Sequence, residues 1–261
     1  MGGYQHGHRT TAAKTARSRE CAEDPFDSAK KKFRAGCRNG AGRFVEGVRP
    51  PDGGGVKEKS RIMSTTLTVD FFCSIDGYGM AEGWPGYWGK EGPELIADRV
   101  RTFEQEQVLV FGATTFRQFR EFVKVFDEPY YRSLDELPKI VFSSTLEEPL
   151  GWENSTLIDE DAVTAIERLK RTTDVPMRSH GSIALNRALL AAGLVDRIEV
   201  MMFPAVSGRA GQAGLFHGGV ELDLELLEST VLDGRTHKLV YRPQVHGEIP
   251  DGVGPRRRDD V

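Results

Sequence analysis

Hydrophobic and polar positions along this chain fall into a regular pattern from about residue 63 to about residue 243. Short, continuously apolar, β-prone runs predict buried strands, and longer runs with apolar residues three and four apart predict amphipathic helices. Residues 66–73, rich in Thr, Val and Phe, read as a first strand that ends in Ser74-Ile75-Asp76-Gly77, where Asp-Gly marks a turn. Residues 78–92 form a Gly, Trp and Tyr loop, of a length that is functional or disordered in a compact domain. Pro93 opens a helix over 93–106 with Leu95, Ile96, Arg99, Val100 and Phe103 along one stripe. Residues 107–111 are the next strand. Gly112 ends it, and Thr114 caps a helix carrying Phe116, Phe119 and Phe122.

A charged excursion through Tyr130 and Asp135 leads to a strand at 138–143 and a short one at 155–158. Asp159 or Asp161 then caps a helix through Arg171, with Val163, Ile166 and Leu169 at helical spacing. Residues 175–178 form a strand, 183–192 a helix that stops at Gly193 as a left-handed C′ residue, and 195–203 a long strand. Residues 222–232 and 236–242 flank Asp233-Gly234 and predict an antiparallel hairpin. Strands that alternate with helices imply an α/β domain over 63–243, with a mostly parallel sheet covered on both faces and an antiparallel C-terminal edge.

Composition changes this picture only at the ends. Residues 1–62 hold 14 of the chain's 35 Lys and Arg but only 7 of its 39 Asp and Glu, so a basic head precedes an acidic body. The head has no apolar period and is punctuated by Gly-Gly, Pro-Pro and Gly-Gly-Gly, a composition too poor in burial to offset chain entropy, so disorder is expected there. Translation starting at Met63, just before the first strand, is an equally simple account of it. Lys30-Lys31-Lys32, Arg34 and Arg38 would attract phosphate, but no aromatic platform or motif accompanies them, and no nucleic-acid partner is expected. Residues 244–261 read as a solvated tail.

No stretch has the roughly 18 to 20 apolar residues needed to cross a bilayer, and the start lacks the apolar region of a secretory signal, so a cytoplasmic protein without a membrane partner is expected. Cys21, Cys37 and Cys73 show neither a disulfide framework nor zinc spacing. Cys73 reads as a small buried hydrophobe, and the six scattered histidines give no metal site.

Candidate chemistry lies in three turns: Gly112-Ala113-Thr114-Thr115, Ser143-Ser144-Thr145 and His180-Gly181-Ser182. In a parallel sheet all three share the carboxyl edge. Each reads as a strand leading into a helix, and helix N-termini carry unpaired N–H groups that can hold a dinucleotide's diphosphate without basic side chains. Each is also consistent with ordinary αβ turn capping.

The order of the pieces carries a resemblance. Phe72-Cys73-Ser74-Ile75-Asp76-Gly77-Tyr78, Val110-Phe111-Gly112-Ala113-Thr114-Thr115-Phe116, Lys139-Ile140-Val141-Phe142-Ser143-Ser144-Thr145-Leu146 and Ser179-His180-Gly181-Ser182 are followed by Gly193-Leu194-Val195-Asp196 and Pro204-Ala205-Val206-Ser207-Gly208, with Leu215-Phe216. In this order they resemble the dihydrofolate-reductase-like C-terminal (reductase) domain of the bifunctional riboflavin deaminase-reductases.

The resemblance implies a mostly parallel sheet of about eight strands, a reduced nicotinamide cofactor across its carboxyl edge (NADPH, with NADH possible), hydride transfer to a pyrimidine- or pterin-like ring, and a homodimer through 195–203 or the last hairpin. It gives Gly112, Ala113, Thr114 and Thr115 the diphosphate and adenosine side, Ser143 and Ser144 the adenosine ribose, and Gly181 and Ser182 the diphosphate backbone. Many relatives carry Arg where Ala113 and Ser144 stand, so a weak preference for NADPH is expected. The family's substrate is 5-amino-6-(5-phosphoribosylamino)uracil, whereas residues 77–92 offer only Lys90 as a base.

For the acid, Asp76 at the strand end is one candidate, against plain Asp-Gly turn chemistry. Folate reductases place a carboxylate on the first helix, where Glu94 and Asp98 share a face here; both also suit a solvated surface. Trp84, Tyr87 and Trp88 can stack on a planar substrate or plug the core beneath their loop. A non-catalytic nucleotide-binding or regulatory paralogue is the alternative function.

Overall fold

A computed structural model describes residues 65–82 and 89–245. The expected disorder of 1–62, the start at Met63, Cys21, Cys37, Trp84, Tyr87, Trp88 and the tail beyond 245 lie outside the described residues. Ten strands are present among them: β1 (Leu67–Ser74), β2 (Tyr78–Ala81), β3 (Val108–Gly112), β4 (Lys139–Phe142), β5 (Ser155–Ile158), β6 (Met177–His180), β7 (Arg197–Phe203), β8 (Gly211–Gly214), β9 (Leu222–Leu232) and β10 (Thr236–Val245). The helices are α1 (Pro93–Phe103), α2 (Ala113–Val125), α3 (Pro129–Glu136), α4 (Ala162–Thr172) and α5 (Ile183–Ala191).

The main sheet has eight strands in the order β5-β4-β3-β6-β1-β7-β10-β9. Its first six are parallel, and β10 and β9 close the far edge antiparallel. This is the mostly parallel α/β architecture the pattern predicts. Period two explains its layers: Val108 and Val110 face α4 and α5 with Ile166, Leu169 and Leu189, while Leu109 and Phe111 face the other side with Phe103 of α1, Phe116 of α2 and Leu134 of α3. Cys73 is buried, as its strand context predicts.

The structure departs from the pattern in several places. α1 ends at Phe103 rather than 106, because the Gln107 carboxamide donates to the Thr102 and Gln105 carbonyls and closes the helix end. α3 stands where the pattern predicts only a charged excursion, since Leu134 is its one fully buried residue and leaves no stripe to detect. β2 lies inside the expected loop and pairs with β8, forming a small ribbon whose glycines carry no period. Finally, α2 begins at Ala113 with Gly112 as its N-cap, so Thr114 sits in the first turn and does not cap it.

Capping is otherwise a mix of local and distant groups. Asp161 accepts from the Thr164 amide, and Gly193 takes φ +66° after α5. For α1 the cap comes from the β9–β10 turn, where Asp233 and Gly234 both have positive φ. The Asp233 carboxylate accepts the Glu94 and Leu95 amides at 2.9 and 3.1 Å, and the Glu94 carboxylate accepts the Asp233 amide at 2.5 Å. A Cβ on Gly92 would stand 2.2 to 2.5 Å from that Asp233 carboxyl group. Gly92→Ala is therefore expected to cost about 0.5 to 2 kcal/mol, the range for losing an N-cap. Thermal unfolding checks it, and an unchanged melting temperature would show that the cap is dispensable.

Candidate active site

The three turns do lie at the carboxyl edge, and two of them converge. β3 and β6 are neighbours, so the β3–α2 and β6–α5 turns stand side by side, and the Gly112 amide donates to Ser182 Oγ at 3.0 Å. A Cβ on Gly181, where φ is +70°, would lie 3.9 Å from Thr115. Neither α2 nor α5 has a side-chain cap or an acidic residue in its first turn. That leaves an electropositive pair of helix ends unblocked by carboxylates. Ala113 is half-buried there and Thr114 exposed. The third turn differs from expectation: Ser143 Oγ accepts the Thr145 and Leu146 amides at 3.0 Å each, and the chain continues as loop rather than helix. Ser144 is exposed beside it.

The three candidate acids do not meet. Asp76 accepts the Ser207 and Gly208 amides at 3.0 and 2.7 Å, pinning the segment after β7; hydrogen bonding from Ser74 and then Ser207 lowers its pKa to about 2. Glu94 faces the Asp233 turn. Asp98 pairs with Lys238 of β10 at 3.0 Å and with Arg101 at 3.5 Å. Glu94 and Asp98 do share a helix face, but it packs toward the β9–β10 hairpin and leaves Leu95, Ile96 and Arg99 to line the cavity.

That cavity, of about 520 Å³, opens along the same sheet edge. Gly181 and Ile183 bring the β6–α5 turn into its wall, and the rings of Phe72, Phe119, Phe122, Tyr130 and Tyr131 line it as well. Its floor is a buried charge network. Arg99 donates to Asp70 at 2.9 Å and to Glu199 at 3.0 Å, and Arg178 donates to the same two carboxylates at 3.0 and 3.3 Å. The Arg99 guanidinium also lies 4.6 Å from the centre of the Phe103 ring and 5.1 Å from that of Phe72.

His180 extends the network to the cavity. Its Nδ1 lies 2.5 Å from Asp70 Oδ1, and its Nε2 lies 2.9 Å from the Tyr130 hydroxyl. A carboxylate can only accept, so Nδ1 carries a proton toward Asp70. Burial by itself would raise the Asp70 pKa, but His180 and then Arg99 outweigh it and hold the carboxyl well below the usual range. Burial likewise keeps the Tyr130 phenol above its ordinary value, so it stays protonated. Asp70, His180 and Tyr130 thus form a continuous hydrogen-bonded chain from the sheet interior to the cavity wall, able to orient and pass a proton.

The sequence profile of the RibD C-terminal domain matches residues 65–238. The chain belongs to that family. Three solved structures show the shared fold. A candidate riboflavin-biosynthesis protein of Shewanella sp. PV-4 superposes with a TM-score of 0.54 at 21% identity, over 69% of this chain and 99% of its own. RibD of Acinetobacter baumannii gives 0.52 at 14% identity, and the Thermotoga maritima diaminohydroxyphosphoribosylaminopyrimidine deaminase/5-amino-6-(5-phosphoribosylamino)uracil reductase gives 0.50 at 14%. This chain spans 58% and 57% of those two proteins. No curated protein matches it.

The RibD C-terminal family is a reductase domain, and the dihydrofolate-reductase-like fold expected from the segments is the one observed. Pattern reading missed the floor of this family member's cavity, yet signals were present. Asp70 interrupts a buried strand, Arg99 stands on an apolar stripe, and Arg178 and Glu199 lie within strands. Charges at positions that periodicity reserves for apolar residues signal buried ion pairing. Among the described residues no cluster of metal-ligating side chains occurs, and no helix is long and apolar enough to cross a membrane.

Proposed function

We propose that the chain is an NAD(P)H-dependent reductase of a small pyrimidine- or pterin-like heteroaromatic compound. The observation that carries this reading is a cavity lined by aromatic rings that runs from paired helix N-termini to the Asp70–His180–Tyr130 chain. Gly112, Ala113, Thr114 and Thr115 with Gly181 and Ser182 would hold a dinucleotide's diphosphate; the uncapped, carboxylate-free first turns of α2 and α5 fit such an anion. Ser143 and Ser144 would face the adenosine ribose. When bound, a reduced nicotinamide supplies a hydride.

The matching proton falls to Tyr130. With His180 doubly protonated, Asp70 accepts Nδ1–H and the Tyr130 oxygen accepts Nε2–H. The Tyr130 O–H is then free to donate to the substrate atom that gains charge as hydride arrives. The His180 proton passes to Tyr130 and is replaced from solvent. Arg99 and Arg178 keep Asp70 ionised throughout.

A homodimer through β9 is part of the proposal, since Leu224, Leu226 and Val231 are exposed on that edge strand. β7, the other strand expected to pair, is flanked by β1 and β10 and has no open edge.

NADPH oxidation by the purified chain against pyrimidines, pterins and quinones tests the reading. Binding of NADPH without turnover on any compound would favour the non-catalytic nucleotide-binding paralogue. The diphosphate placement has its own test. Thr114→Asp should leave melting unchanged or slightly raised, because a carboxylate in the first turn suits the helix dipole. It should weaken NADPH binding about tenfold or more, since two like charges about 4 Å apart repel by up to about 4 kcal/mol near a surface and solvent reduces this. Equal NADPH affinity by calorimetry would put the diphosphate elsewhere.

A further inference from the structure

We infer that the cavity takes an uncharged planar aromatic ring with at least one hydrogen-bond acceptor, and that it discriminates against the same ring carrying a phosphate. This rests on the reductase reading for what is done to the ring, but not for which ring binds. Three observations carry it.

The first is shape. Phe119 and Phe122 of α2, Phe126 just after it, and Tyr130 and Tyr131 of α3 line the cavity together with Phe72 of β1. Phe126 and Tyr131 stack at 5.3 Å, and Phe119 lies 5.5 Å from Phe122. Broad aromatic walls with few polar groups suit a flat ring, whose faces bury well and whose edge carries the specificity.

The second is charge. Arg99 is the one Lys or Arg among the described residues lining the cavity, and both its terminal nitrogens already donate to Asp70 and Glu199. Glu91 and Glu128 also line the cavity, half-buried and exposed respectively, and with Asp70 they give its wall a negative excess. Away from the α2 and α5 N-termini that would take the cofactor's diphosphate, the described lining offers no set of converging charged donors to hold a second phosphate. The Glu91 and Glu128 carboxylates at the mouth repel it further, less strongly than buried charges would because solvent screens them.

The third is an orphan donor. Arg99 Nε is buried and has no hydrogen-bond partner among the described residues, while its two terminal nitrogens donate to Glu199 and Asp70. A buried N–H left unpaired is costly, so this end of the cavity is rich in donors, and the Tyr130 hydroxyl on the same wall is the one that a ring carbonyl or ring nitrogen can meet.

Lumiflavin, riboflavin and flavin mononucleotide share one ring system and differ in the side chain and its phosphate. They are titrated calorimetrically into the full chain, with and without saturating NADP⁺, at low and high salt. Lumiflavin and riboflavin are expected to bind, with flavin mononucleotide at least about tenfold weaker. The gap should narrow as salt screens the mouth, and it should narrow again in the E91Q/E128Q double variant. Flavin mononucleotide binding as tightly as riboflavin would overturn the inference. So would failure of both neutral rings to bind, or a gap unchanged in the double variant. The two readings separate cleanly: a chain that binds neutral rings but never oxidises NADPH keeps the ligand class and loses the reductase assignment. One that oxidises NADPH only with phosphorylated rings does the reverse.

Discussion

Arg99→Met is expected to destabilise the fold by about 3 to 5 kcal/mol, the range for breaking a buried ion pair by removing one partner. Arg99 is 2% exposed and bridges Asp70 of β1 to Glu199 of β7, so its loss leaves two buried carboxylates with Arg178 as their one shared cation and only Asp70 with His180 besides. Methionine retains most of the volume between Phe72 and Phe103, which isolates the electrostatic part of the cost. The pH dependence follows from Asp70. Its folded pKa lies below the ordinary carboxylate value, so the stability this gives the wild type is fully present above about pH 4 and is lost as pH falls through the depressed value. The deficit of the variant should accordingly be full at neutral pH and shrink in acid. Chemical denaturation of both proteins across pH measures it. A deficit under about 1 kcal/mol at neutral pH would mean that water reaches the network and screens it.

Tyr130→Phe is expected to lower kcat by about 10²- to 10⁴-fold, the usual contribution of a positioned acid. The change removes one oxygen. The ring keeps its contacts with Phe103 at 5.4 Å and Tyr131 at 4.9 Å, so folding should be spared. NADPH affinity should hold, because the α2 and α5 turns are untouched. His180→Gln separates proton delivery from mere packing: kcat should fall while NADPH affinity holds, because the imidazole that passes the proton is gone and the cofactor turns are untouched. The charged and titratable groups facing His180 are Asp70 of β1, Arg99 of α1 and Tyr130 of α3, and all three remain in place. A Tyr130→Phe enzyme within about threefold of wild type would assign the proton to another donor.

The carboxyl-edge turns were legible because glycine and hydroxyl residues following apolar strands mark places where backbone must turn sharply or stay open, and Gly112, Gly181 and Ser182 met there as the parallel topology required. The acids were not legible in the same way. Glu94 and Asp98 share a face, as helical spacing says they must, but which way that face points depends on how α1 rests on the sheet. The Asp233 cap sets this from 139 residues away.

What the sequence determined by itself was therefore local: strand and helix periods, a helix cap at Asp159 or Asp161, the Gly193 stop, the Asp233-Gly234 turn and, from alternation, a parallel sheet with an antiparallel edge. Those features follow from each residue's own backbone preference and from whether its side chain gains by leaving water. The tertiary structure alone decided the floor of the cavity. Asp70 meets Arg99 across 29 residues and His180 across 110, and neither distance along the chain nor residue type foretells the pairing. A pattern of polar and apolar positions can register that Asp70 and Arg99 stand where burial is expected. Whether a buried charge is ruinous or sustained depends on the opposite charges and hydrogen bonds within a few ångströms, and only the packed sheet brings those together.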